Sequence, residues 1–151
     1  MEKVTCVAAS KDGTRLVIGG GVAGRAGSVV VREPDGRFVE VKREKPLFND
    51  LVNAVCWSDD NTTILAGSAD KSALALDAKS LDVKAELKGH TGSVLAVASR
   101  GELAVTGSYD RTVRVWNLRT GEDAPQSHST FGPGERARIR ARGRSLPIGL
   151  R

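Results

Sequence analysis

No apolar run in this chain approaches the roughly 18–20 residues that a membrane-spanning helix needs. The opening Met1-Glu2-Lys3-Val4-Thr5 carries no apolar h-region of the secretory kind, so a soluble intracellular protein, cytoplasmic or nuclear, is expected. Histidine is scarce, with only His90 and His128, and the two cysteines, Cys6 and Cys56, stand 50 positions apart (56 − 6 = 50). Those residues lack any metal-ligand spacing, which excludes a metal centre and leaves no cofactor to expect. Each cysteine lies in an apolar, strand-like run, where a free thiol behaves as a small buried hydrophobe, and a reducing compartment suits it. Helix signals are nearly absent as well. No Ser/His/Asp or paired-carboxylate arrangement suggests catalysis; Asp59-Asp60 sits in a turn, where solvated acids are ordinary.

Charge is also missing from the body of the chain, despite a formal net charge of +5. Residues 134–151 hold Arg136, Arg138, Arg140, Arg142, Arg144 and Arg151 against Glu135 alone, 6 − 1 = +5. The remainder balances 17 basic against 17 acidic residues (23 − 6 and 18 − 1). The overall basicity therefore implies no nucleic-acid-binding face on the body.

What the chain does contain is a repeat. At 151 residues it has the length of one ordinary domain, and three segments of it align. They are VTCVAASKDGTRLVIGG from Val4, VNAVCWSDDNTTILAGS from Val52 and VLAVASRGELAVTGS from Val94. Each opens with Val-x-x-Val, crosses a polar turn, resumes apolar residues and ends at Gly19, Gly67 or Gly107, spacings of 48 and 40 (67 − 19 and 107 − 67). A period of this size marks a repeat architecture. Within each unit, short alternating runs bounded by turn residues predict antiparallel strands. Three strands are expected per unit, with a fourth at Arg37–Lys42 and Val83–Leu87 in the first two. The fold class is all-β.

The third unit carries Gly89-His90, Val94-Leu95-Ala96-Val97, Gly107-Ser108-Tyr109-Asp110 and Thr112-Val113-Arg114-Val115-Trp116-Asn117. This arrangement resembles the WD40 repeat, with Asn117 in place of the usual closing Asp. The second unit keeps the Gly67–Asp70 turn without a preceding His or following Trp, and the first keeps only Asp12-Gly13 and Gly19-Gly20. The resemblance implies four-stranded blades of a β-propeller, at 3–46, 50–88 and 89–122; the composition of the Arg-rich remainder, 123–151, cannot bury a core and predicts a disordered tail. Propellers close with about four to eight blades, so three repeats imply a piece of a larger ring, a truncated product, or blades supplied by another chain.

The same resemblance assigns His90, Thr106, Asp110 and Trp116 to a hydrogen-bonded structural tetrad rather than a hydrolytic triad. Ile18 and Ala66 align with Thr106, and Leu76 with Trp116, so the other units lack the tetrad. The glycine-rich Gly19–Ser28 stretch lacks a Gly-Lys-Ser/Thr ending and is followed by Val29-Val30-Val31, which predicts a strand hairpin and no phosphate or small-molecule site. Trp57 is expected in the core. The function implied is a non-catalytic scaffold that binds protein or peptide partners through blade loops, with Arg25, Tyr109 and Arg111 the candidate contacts. The alternative is RNA association through Arg136, Arg138, Arg140, Arg142 and Arg144 of the tail.

Overall fold

The structure, a computed structural model, describes residues 3–39, 46–123, 129–130, 138–141 and 144–147. Among them there is no helix; the strands form three four-stranded antiparallel sheets and one two-stranded hairpin. The first sheet runs β1 (Lys3–Ala9), β2 (Leu16–Val22), β3 (Ala26–Arg32) and β4 (Phe38–Val39) in spatial order. The second runs β5 (Val52–Trp57), β6 (Thr63–Ser68), β7 (Ala73–Asp77) and β8 (Val83–Leu87). The third comprises β9 (Val94–Arg100), β10 (Leu103–Ser108), β11 (Thr112–Asn117) and β12 (Ser129–Thr130).

Simple up-and-down order follows from the turns, which are too short for any other connection. The β1–β2 and β5–β6 turns share one device. Asp12 Oδ1 accepts the Ser10 hydroxyl at 2.5 Å, the Thr14 amide at 3.0 Å and the Thr14 hydroxyl at 2.8 Å. Asp60 repeats the set with Ser58 at 2.6 Å and with the amide and hydroxyl of Thr62 at 3.0 and 2.8 Å. These bonds, the serine hydroxyl first, hold both carboxyls down at about 2.

The expected fourth strand of the second sheet coincides with β8. That of the first is observed as Phe38–Val39, while residues 40–45 lie outside the described residues. The third sheet also gains a short fourth strand, Thr112 pairing Thr130 and Val113 pairing Ser129. In the tail, β13 (Arg138–Ala141) pairs antiparallel with β14 (Arg144–Pro147).

The second sheet is the middle layer. One of its faces packs Val52, Val55, Trp57, Ile64 and Leu76 on Val17, Val29 and Val31 of the first sheet. The other packs Leu65, Ala73, Ala75 and Leu87 on Val94, Ala104 and Trp116 of the third. Strand alternation supplies both faces, which is why β6 is buried along its whole length.

Both junctions are built alike. A β-bulge interrupts each first strand, between Val4 and Cys6, Val52 and Ala54, and Val94 and Ala96. It turns the extra residue toward the following sheet. The Thr5 hydroxyl donates to the Val52 carbonyl, and Asn53 Nδ2 donates to the Val94 carbonyl at 3.0 Å. A glycine in each preceding sheet makes room for the incoming valines. A Cβ on Gly19 would stand 2.8 Å from Val52 Cγ1 and 3.0 Å from Val55 Cγ1; one on Gly67 would stand 2.5 Å from Val94 Cγ1 and 3.0 Å from Val97 Cγ1.

Trp57 is fully buried, as expected. Its Nε1 donates to the Ala8 carbonyl at 3.1 Å, and the Arg15 guanidinium lies 4.7 Å from the ring centroid. Trp57→Phe, which removes the indole donor and leaves that carbonyl short of a partner, should cost about 1–2 kcal/mol in a denaturant titration. The Cys6 and Cys56 thiols, both free, lie on opposite faces of the middle sheet's packing, and burial pushes both above their ordinary value.

Candidate functional site

The first feature to locate is the predicted tetrad. Trp116 can only donate and a carboxylate can only accept, which fixes the two ends of the hydrogen-bond chain. Trp116 Nε1 donates to Thr106 Oγ1 at 2.8 Å, and Thr106 Oγ1 lies 2.7 Å from His90 Nε2. His90 Nδ1 lies 2.8 Å from Asp110 Oδ2. An imidazole carrying its one proton on Nδ1 satisfies every group: Trp to Thr, Thr to His, His to Asp. The Asp110 carboxylate also accepts the Thr91 amide at 3.0 Å, the Thr112 amide at 2.8 Å and the Thr112 hydroxyl at 2.5 Å.

Thr106 and the His90 ring are wholly buried and the Asp110 side chain is 8% exposed, so no substrate reaches the three together. Burial alone would raise the Asp110 pKa. The bonds from Thr112, His90 and Thr91 outweigh it and hold the carboxyl far below its usual range. The arrangement ties a turn to a sheet. Thr106 pairs Val97 in the ladder, on the face of the third sheet that meets the second. Gly89 takes φ +146°, and a side chain there would strike the Arg114 guanidinium, which is bonded to Asp123 at 2.8 Å.

Register places Ala66 opposite Val55 and Ile18 opposite Val7, the positions equivalent to Thr106 opposite Val97. The second sheet has an apolar counterpart that sequence comparison passed over. Phe48 precedes Val52 by four residues, as His90 precedes Val94 (52 − 48 and 94 − 90), and it is fully buried beside Ala66 and Leu76. Phe48, Ala66 and Leu76 thus stand where His90, Thr106 and Trp116 stand one repeat later. The Asp survives the exchange. Asp70 Oδ2 accepts the Asn49 amide at 2.7 Å, and Oδ1 accepts the Ser72 amide at 2.9 Å. The constant four-residue offset was the available signal.

The three candidate contacts lie on one rim, formed by the β2–β3, β6–β7 and β10–β11 turns. Arg25, Lys71 and Arg111 are exposed there, and Tyr109 is 77% exposed. Lys71 and Arg111 occupy the left-handed region, at φ +77° and +68°, a conformation costly for a side chain with a Cβ. A hydrogen-bonded thread joins the three turns. The Gly24 amide donates to Asp50 Oδ1 at 2.8 Å, and the Ala69 amide to the Leu51 carbonyl at 2.9 Å. The Ser93 hydroxyl then donates to the Ala69 carbonyl at 3.0 Å, and the Tyr109 amide to the Ser93 carbonyl at 2.8 Å. Arg25, Tyr109 and Arg111 are therefore brought to one edge, with Lys71 between them. Lys71, Asp50 and Ser93 were not singled out by sequence, because their part depends on neighbouring sheets.

Of the tail arginines, Arg138 and Arg140 fall in β13 and Arg144 in β14, while Arg136 and Arg142 lie outside the described residues. No group of three or more His, Cys, Asp or Glu among the described residues is placed to hold a metal ion. No helix there is long and apolar enough to cross a membrane.

Comparison with known proteins agrees with this geometry. The family described as WD domain, G-beta repeat matches residues 47–74 and 81–117. Bovine (Bos taurus) pre-mRNA-processing factor 19 is 41% identical over 66 residues, covering 42% of this chain and 13% of that protein. THO complex subunit 3 of Arabidopsis thaliana is 33% identical over 84 residues, covering 50% of this chain and 26% of the relative. The solved structure of U3-55K superposes with a TM-score of 0.73 at 23% identity, covering 89% of this chain and 41% of the other. The RRP9 WD40 repeats give 0.70 at 23% identity, with 89% and 40% covered. The chain thus spans about a quarter or less of these two relatives' length and about two fifths of the solved propellers. With repeat motifs, blade register and superposition in agreement, residues 47–117 carry WD40 repeats, and the three four-stranded sheets have the fold of β-propeller blades.

Proposed function

We propose that the chain is a non-catalytic scaffold that holds a protein partner on the rim carrying Arg25, Lys71, Tyr109 and Arg111. One observation carries this reading. The exposed cationic and aromatic groups sit on turns fixed by the Gly24-to-Tyr109 hydrogen-bond thread, and two of the cations occupy backbone positions where glycine would be less strained. A prearranged rim loses little entropy on binding, and an aromatic group flanked by cations is the usual composition of an interface anchor. The partner surface expected is acidic, with an apolar group for Tyr109. WD40 domains generally bind proteins, and the RNA-processing names of the relatives suggest a nuclear or cytoplasmic assembly as the setting.

Arg111→Gly tests the reading, because it relieves the left-handed strain while removing the cation. Stability should stay level or rise by about 1 kcal/mol. Photo-cross-linking from position 109 in cells should lose its protein adducts at least tenfold when Arg25→Ala is added. Adducts that persist in this folded double variant would refute the rim as the binding surface.

A second reading rests on the alternating arginines of 134–151, which suit a phosphate-binding arm; no aromatics interleave them, so base stacking is not expected. Deleting residues 132–151 should abolish RNA binding and its steep salt dependence. Equal binding by both forms, or by neither, removes the arm from consideration.

A further inference from the structure

We propose that the occupant of the rim is a short acidic peptide in the polyproline II conformation, its acidic side chains three residues apart on Lys71 and Arg111, an assignment that rests on the rim being the binding surface. Lys71 and Arg111 hold the same place in consecutive repeats, each directly after the turn aspartate (111 − 71 = 40). Their backbones agree as well. The φ angles are +77° and +68°, and each amide donates to the carbonyl of the serine three residues before it, at 3.3 and 3.1 Å. The two cations are therefore offered at matching positions on adjoining sheets, and stacked sheets lie about 10 Å apart. Arg25 falls outside this spacing. Its hairpin continues three pairs past Gly19–Val29, the pair equivalent to Gly67–Ala73 and Gly107–Val113.

Neither cation is neutralised by its neighbours. Asp70 gives its oxygens to the Asn49 amide and to the amide and hydroxyl of Ser72. Asp110 gives its own to His90, Thr91 and Thr112. No ion pair among the described residues includes Lys71 or Arg111, so both are open to a ligand's carboxylates. Tyr109, 77% exposed, accompanies Arg111, and the small Ala69 takes the equivalent place beside Lys71.

The ligand's conformation follows from the spacing. A β-strand returns to one side every second residue, which sets like-facing groups about 6.7 or 13.4 Å apart. An α-helix reaches about 10.5 Å only after seven residues, and isolated helices that short are marginal. Polyproline II returns every third residue at a rise of about 3.1 Å, which sets the groups about 9.3 Å apart and matches the sheets. Its prolines also pack on aromatic side chains, the part left to Tyr109.

The test is fluorescence anisotropy of labelled peptides titrated with the full chain. Three peptides of equal length, each with two glutamates in an otherwise all-proline sequence, place the acids adjacent, three apart or nine apart (about 28 Å). The peptide with acids three apart should bind about threefold more tightly than either other, the worth of one exposed ion pair. Lys71→Gly and Arg111→Gly, both suited to positive φ, should each lose that preference and bind the three peptides alike. Tyr109→Ala should weaken all three and keep the preference. Equal binding of the three by the wild type, a preference that survives either glycine variant, or binding untouched by Tyr109→Ala would each overturn the proposal. So would tighter binding of a single-stranded RNA oligonucleotide with the same dependence on Lys71 and Arg111. The rim itself is judged apart from this, by cross-linking from position 109 with Arg25→Ala, a residue outside the peptide's two cationic contacts.

Discussion

His90→Ala is expected to lower the melting temperature by about 10 °C, from a loss of about 3 kcal/mol at roughly 2–4 °C per kcal/mol for a chain of this size. The imidazole bridges two groups that have no other route to each other, the buried Thr106 hydroxyl and the Asp110 carboxylate. Truncation leaves the threonine hydroxyl without its acceptor, removes a donor from a carboxylate already short of water, and opens a cavity beside Trp116. Its pH dependence identifies the mechanism. Asp110 titrates lower in the folded protein than in the unfolded chain, so its contribution is complete above about pH 4 and is lost as the pH falls further. The difference between wild type and His90→Ala should therefore shrink below about pH 4, as measured by melting across a pH series. A pH-independent difference would mean that the loss is one of packing alone. The second sheet supplies a further control. Converting His90, Thr106 and Trp116 together to Phe, Ala and Leu should cost less than the sum of the single changes, because no polar group is stranded.

Gly67→Val should destabilise the fold by about 3 kcal/mol, because overpacking at a sealed layer can be relieved only by separating the layers. The new Cβ would meet Val94 at 2.5 Å and Val97 at 3.0 Å, contacts with the stiff heart of the next sheet rather than with a flexible tip. The matched control is Gly107→Ala. Its environment in a single chain is open, so in dilute solution the change should lie within about 0.5 kcal/mol of neutral. Chemical denaturation of the two variants side by side is decisive. Equal costs would show that the glycines serve backbone conformation, not the approach of the next sheet.

Much of this was legible in the residues. Alternating β-branched runs, turns at Asp12-Gly13 and Asp59-Asp60, and the recurring Val-x-x-Val with its glycine marked the strands, because sheet periodicity and turn chemistry are local, while the grouping into stacked four-stranded sheets came from the resemblance to WD40 repeats. The set of His90, Thr106, Asp110 and Trp116 was legible through one well-kept repeat. Phe48 was not, because an apolar residue in place of a histidine looks like ordinary core until register aligns the two repeats. The thread from Gly24 to Tyr109 was hidden for a different reason. It runs through main-chain groups and through Asp50 and Ser93, whose partners lie 26 and 24 residues away in sequence. The short β12 depends on Thr112 and Val113 offering an unpaired edge, which a polar stretch containing Pro125 does not announce.

The two locks also divide the molecule by the stress that opens it. Phe48, Ala66 and Leu76 close the junction of the first and second sheets with apolar surface, whose stabilising power fades on cooling. His90, Thr106, Asp110 and Trp116 close the next junction with hydrogen bonds anchored on a carboxylate, whose stabilising power fades in acid. Cold should therefore expose the amides of β2 and β3 to exchange first, and acid those of β10 and β11. A stack of near-identical layers would in this way come apart from opposite ends, according to the solvent it meets.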